Sequence, residues 1–232
     1  MQSNQPHKPN HKSCRGQAAG FVFGAAAVLT SVLAMTQTSF AAEVSLSGSG
    51  TFRPPSKDQV ANLPAELPFS RADLVSGRWS FSARYDDAVA DADPDPYVGR
   101  FAGAIRSFRL VIGATTIDLP VDKAEIVISD GGSGFPGRES VRLQGQAMTS
   151  AGLLRLGWIQ VNQQPNGTEL RGPAGSLSSD RLPSAALMAN LPVASAFDRF
   201  VELRIEPPGG GRPLLYLSSS KLSVTAVPAS QP

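Results

Sequence analysis

From residue 43 onward the chain alternates apolar and polar side chains in short runs. Trp79, Phe81, Ala83 and Tyr85 alternate with Ser80, Ser82 and Arg84, and Phe108, Leu110 and Ile112 alternate with Ser107 and Arg109. A period of two belongs to a strand with one buried face, so each run predicts a strand half in a core. The same pattern starts at Val44 and Leu46 and recurs through Ile126 and Ile128, Val141 and Leu143, and residues 153–161 with Leu154, Leu156 and Trp158 inward. It resumes at Val201, Leu203 and Ile205, at Leu215 and Leu217, and at Leu222, Val224 and Ala226. Gly113-Ala114 reads as a tight turn, and Pro165-Asn166-Gly167 as another, because Asn and Gly accept positive φ. The segment from Pro54 to Trp79 reads as a long irregular connection, and SAALMAN at 184–190 is the one helix candidate. Nine or ten short strands between regular turn signals predict an all-β antiparallel sandwich, jelly-roll-like. Trp79, Phe81, Phe108, Leu110, Ile112, Trp158, Val201 and Leu203 are expected to share one core between its sheets.

The first 41 residues have a different pattern. His7, Lys8, His11, Lys12 and Arg15 precede an apolar run from Ala18 to Met35, and Ser39-Phe40-Ala41 puts small residues where a signal peptidase cuts. Residues 1–41 are therefore read as a cleaved signal peptide, and 42–232 as one sandwich domain, exported to the periplasm or beyond. No membrane span is expected after cleavage. The leader contains both histidines, the only cysteine and three of the 21 basic residues, but none of the 19 acidic ones. The remainder thus has 21 − 3 = 18 basic and 19 acidic groups, net −1. A nearly neutral surface gives no reason to expect nucleic acid as a partner.

Without histidine or cysteine, this domain cannot build a Ser-His-Asp triad, a Cys-His pair or a zinc cluster. Ser218-Ser219-Ser220-Lys221 matches S-x-x-K, but on or between strands rather than at a helix start. A glycosidase needs only two carboxylates, and no pair is marked by spacing. The concentration of charge at Asp86, Asp87, Asp91, Asp93 and Asp95 is the positive signal. Asp91, Asp93 and Asp95 stand two apart, as hard-oxygen ligands do, so Asp87, Asp91, Asp93 and Asp95 are the candidate calcium ligands; no other cofactor is indicated. Pro96 and Ala102 stand where an EF-hand needs Gly and Glu. Otherwise the loop is a solvated hairpin connection with no compensating base in its own stretch. Among the rings, Trp79, Tyr85 and Trp158 fall on apolar faces, which leaves Tyr97 as the candidate exposed ligand contact.

The DPDP loop, the Gly99–Ile105 step and the strand from Ser107 to Gly113 together resemble small exported bacterial β-rich proteins of unknown function. Many of these carry a C-terminal PEP-CTERM sorting signal. The ending Val227-Pro228-Ala229-Ser230 lacks the glutamate, the apolar span and the basic end of that signal. The resemblance implies export and no known activity. Two functions stay open: a non-catalytic envelope, matrix or adhesion-type module that binds extracellular polysaccharide or an envelope component, and a carboxylate-based hydrolase of extracellular glycan.

Overall fold

Eleven strands are formed among the described residues. They are β1 (Glu43–Thr51), β2 (Arg78–Asp86), β3 (Val98–Ala102), β4 (Ile105–Ile112), β5 (Thr115–Asp118) and β6 (Ala124–Asp130), then β7 (Arg138–Thr149), β8 (Gly152–Gln163), β9 (Arg199–Glu206), β10 (Leu215–Ser219) and β11 (Leu222–Pro228). The computed structural model describes residues 43–56, 63–131, 138–163, 177–191 and 199–229. The expected signal peptide, the Pro165-Asn166-Gly167 turn, most of the glycine-rich 130–137 segment and the end of the tail lie outside them. Among the described residues no helix is long and apolar enough to cross a membrane.

Two antiparallel sheets form a β-sandwich, one with five strands in the order β11-β1-β2-β4-β5 and one with six in the order β10-β9-β8-β7-β6-β3. From β6 to β10 the chain is a meander within the larger sheet. Alternating residues decide the inner faces. Trp79, Phe81, Ala83 and Tyr85 of β2 and Phe108, Leu110 and Ile112 of β4 face Ile126, Ile128, Val141, Leu143, Leu154, Leu156, Trp158, Val201 and Leu203, all buried in one core. All eight expected core residues are among them. The sheets meet at Phe81, whose ring lies 6.4 Å from that of Trp158 and packs edge-on to Phe108 at 6.1 Å.

The pattern needs correction in two places, and the Gly99–Ile105 step divides between the sheets: β3 pairs with β6 in the larger one, and the chain crosses to the smaller one at Gly103 and Ala104. Gly99 in β3 is required by packing, because a Cβ there would stand 2.1 Å from the Ser179 carbonyl oxygen. The connection before Trp79 is also not wholly irregular, since it contains the helix α1 (Arg71–Ser76). Ser70 caps it by accepting from the Asp73 N–H, and Gly77 in the left-handed region ends it. The Asp73 carboxylate accepts from the Ala114 N–H at 3.1 Å, tying α1 to the β4–β5 hairpin whose turn Gly113 forms at φ +56°. The second helix, α2 (Ala185–Asn190), lies where expected, capped by Ser184. Finally, the acidic loop is not a hairpin connection, because it joins β2 in one sheet to β3 in the other.

Candidate functional site

The acidic loop is organised by its own backbone. Carboxylate oxygens accept N–H bonds two residues ahead four times: Asp86 from Ala88, Asp91 from Asp93, Asp93 from Asp95 and Asp95 from Tyr97, at 2.9–3.0 Å. Each is an Asx turn, the local bond that a short acidic side chain makes most readily. Bases come from strands beyond the loop. Arg100 Nε donates to Asp93 at 3.0 Å while its main-chain N–H donates to Asp91 at 2.7 Å, and Arg106 donates to Asp86 at 2.8 Å. Arg106 reaches Asp86 because it is the extra residue of a bulge where β4 pairs with β2. The bond from Arg106, then that from the Ala88 N–H, holds the Asp86 carboxyl below its ordinary value.

The loop is therefore a folded crossover whose carboxylates have counterions from outside its own stretch. Asp87 lies half-buried in the turn after β2, near Tyr85. Among the described residues, Asp87, Asp91, Asp93 and Asp95 are not gathered with any third ligand into a set able to hold a metal. Tyr97 is half-buried rather than exposed: its N–H is held by Asp95 and its carbonyl accepts from the Asp130 N–H. Trp79, Tyr85 and Trp158 are core side chains, and the Tyr85 hydroxyl donates to the Pro183 carbonyl at 2.7 Å. Ser218 to Lys221 form the end of β10 and its turn into β11, with no helix start.

A different feature lies on the outer face of the six-stranded sheet. Registers place Glu125, Gln144, Gly157 and Glu202 side by side across β6, β7, β8 and β9. On an outward row of a strand every position normally projects a side chain; Gly157 projects none, and it lines a trough of about 520 Å³. Four basic and four acidic side chains line it. Most are paired: Arg155 with Glu206 at 2.9 Å, Gln144 with Glu125 at 2.5 Å, and Arg204 with Glu202 at 3.5 Å. Outside the lining, on β10 beside Arg204, Tyr216, with 44% of its surface exposed, donates its hydroxyl to Glu202 at 2.9 Å. Burial, and after it this bond to Glu202, pushes the Tyr216 phenol up from its ordinary value. Arg100 links both features, since it holds Asp93 and reaches Glu125 at 3.4 Å.

The chain matches no protein-family model, no curated protein and no solved structure. The trough must therefore be read from its own residues. Gly157 has no structural cause that the fold supplies. It is absent from the positive-φ glycines, and a Cβ there would meet nothing within 4 Å. Gly145, one strand away on the inner face, is the opposite case: its Cβ would stand 2.9 Å from the Phe108 ring. Alternation alone did not single out Gly157, Tyr216, Arg142 or Gln146. The available signal was a glycine on the polar side of a strand, between Leu156 and Trp158, where nothing apolar excludes a side chain.

Proposed function

We propose that this protein is an exported, non-catalytic binding module of the cell envelope or extracellular matrix, and that its ligand lies in the trough over Gly157. The observation that carries this reading is Gly157 itself. Glycine within a strand is less stable than alanine by ~0.5–1 kcal/mol, and here neither backbone angle nor crowding asks for it. An outward glycine is useful where another molecule must come close to the backbone. The volume of the trough also falls in the range of ligand sites.

Hydrolysis is less well supported. Glu125 and Glu202, the carboxylates level with Gly157, stand three strands apart, about 14 Å between backbones. Each has a partner of its own, Gln144 for Glu125 and Tyr216 for Glu202. That is a pair of anchors at opposite walls rather than an acid and a base facing one bond.

The experiment puts wild type and Gly157→Phe over a panel of immobilised extracellular polysaccharides, with released reducing ends measured alongside. Retention without product, lost in Gly157→Phe at unchanged melting temperature, is the expected result. Product release abolished by Glu125→Gln or Glu202→Gln would overturn the binding-only reading.

A further inference from the structure

Taking the trough as the binding face, we infer that its ligand is an uncharged, hydroxyl-rich glycan chain, with the Tyr216 ring as its stacking platform and Arg142 and Gln146 as its free hydrogen-bonding arms. Charge decides the class first. The lining has equal numbers of acids and bases, interleaved rather than segregated. Glu125 on β6 and Glu202 and Glu206 on β9 flank the centre, so a polyanion laid along the trough would meet carboxylates on both walls. A polycation would meet Arg142 on β7, Arg155 on β8 and Arg204 on β9. An uncharged polyol is disfavoured by neither set and can use both, since a hydroxyl donates to a carboxylate and accepts from a guanidinium.

The second argument is which groups remain available. Arg155, Arg204, Gln144 and the glutamates are held by one another, which fixes their positions. The Arg142 and Gln146 side chains have no hydrogen-bonding or ionic partner among the described residues. They stand on β7 two residues to either side of Gln144, each about 7 Å along the strand, so three polar side chains line one wall beside the Gly157 gap. On the other side, Tyr216 is level with Arg204 across the β9–β10 pair. Its hydroxyl is fixed by Glu202, which restrains the ring while 44% of the residue remains open. A ring held at its polar end and open on its face suits the C–H face of a sugar. The register row Gln146, Arg155, Arg204 and Tyr216 crosses four strands over about 14 Å, two residues along from the row that holds Gly157.

The test is native affinity electrophoresis in gels containing either an uncharged polysaccharide (dextran, a soluble β-glucan or hydroxyethylcellulose) or an anionic one (alginate or polygalacturonate), at low and high salt. Wild type, Gly157→Phe, Tyr216→Ala and Arg142→Ala are compared, with melting temperatures as the folding control. Expected is retardation by at least one uncharged polymer that persists at high salt, is abolished by Gly157→Phe and is weakened about tenfold by Tyr216→Ala. Retardation by the anionic polymers alone, lost at high salt and abolished by Gly157→Phe, would overturn the ligand class while leaving the trough as the site. Retardation by an uncharged polymer that Gly157→Phe and Tyr216→Ala both leave intact would overturn the trough itself. No retardation by any of these polymers would overturn the inference.

Discussion

Replacing Gly157 and Gly145 each by alanine makes the same chemical change on opposite faces of one sheet. Both substitutions restrict the unfolded chain equally, a gain of ~0.5–1 kcal/mol where the native backbone accepts alanine. At Gly157 nothing opposes that gain, because the new methyl meets no atom within 4 Å and the backbone is not left-handed. Gly157→Ala is therefore expected to be stabilised by about 0.5–1 kcal/mol. At Gly145 the methyl would stand 2.9 and 3.0 Å from two atoms of the Phe108 ring and 3.5 Å from Ala124 Cβ. Phe108 cannot withdraw freely, since it packs edge-on to Phe81, which in turn lies against Trp158. Overpacking of this kind costs ~1–3 kcal/mol. The unfolded-state gain cancels between the two variants, so Gly145→Ala should be the less stable by about 1–3 kcal/mol. In a domain of this size that is about 2–12 °C in melting temperature. Urea denaturation of both variants, with equal m-values as the check on comparability, measures the difference directly. A destabilised Gly157→Ala would show that Gly157 is there for packing and would remove the basis for the trough as a site, whereas two variants of equal stability would show that the Phe108 ring yields to the Gly145 methyl.

Four further outcomes are expected. Trp79→Ala should lose about 3–5 kcal/mol by removing a buried ring packed against Phe52 and Phe81, and an unchanged melting temperature would show the inner face of β2 to be misassigned. Tyr85→Phe should cost about 1–3 kcal/mol because the Pro183 carbonyl is left without its donor. Burial, and after it the Asp87 charge, raises the Tyr85 phenol above its ordinary value near 10; its contribution is thus complete below pH ~10 and declines as pH rises toward the folded value, so wild type should lose stability relative to Tyr85→Phe in alkaline melts. Asp73 is held below its ordinary value, first by the Ser70 hydroxyl and then by the Ala114 N–H, so its contribution is present above the usual carboxylate range and disappears as pH falls; Asp73→Asn should flatten the acid limb of a stability–pH curve. Because the acidic loop is already closed by Asx turns and arginines, melting curves in calcium and in chelator should coincide, and a calcium-dependent rise abolished by Asp93→Asn with Asp95→Asn would refute that account.

The strand alternation of β2, β4, β8 and β9 was readable directly, because a half-buried strand must put its apolar residues on every second position. So were the core membership of Trp79 and Trp158, the hairpin at Gly113 and the Ser184-capped helix, each of which depends on residues adjacent in sequence. The helix α1 was readable too, from Ser70, Asp73 and Gly77, but its short length and the surrounding prolines concealed it. The acidic loop was visible as charge, but not its Asx turns or its arginine partners. Of its counterions, Arg100 follows directly on β3, while Arg106 lies on β4, which only the return to the smaller sheet brings beside Asp86.

Alternation states that a residue faces in or out, not which strand stands beside it. Sheet membership of β3 and the row Glu125, Gln144, Gly157 and Glu202 are set by pairing registers between residues up to 45 apart (202 − 157). The trough likewise exists only once those strands are side by side. By itself the sequence determined which faces are buried, since burial is driven by each residue's own apolar area. Tertiary structure decided what stands together on the face left outside, where hydrogen-bond register and sheet order, rather than hydrophobicity, choose the neighbours.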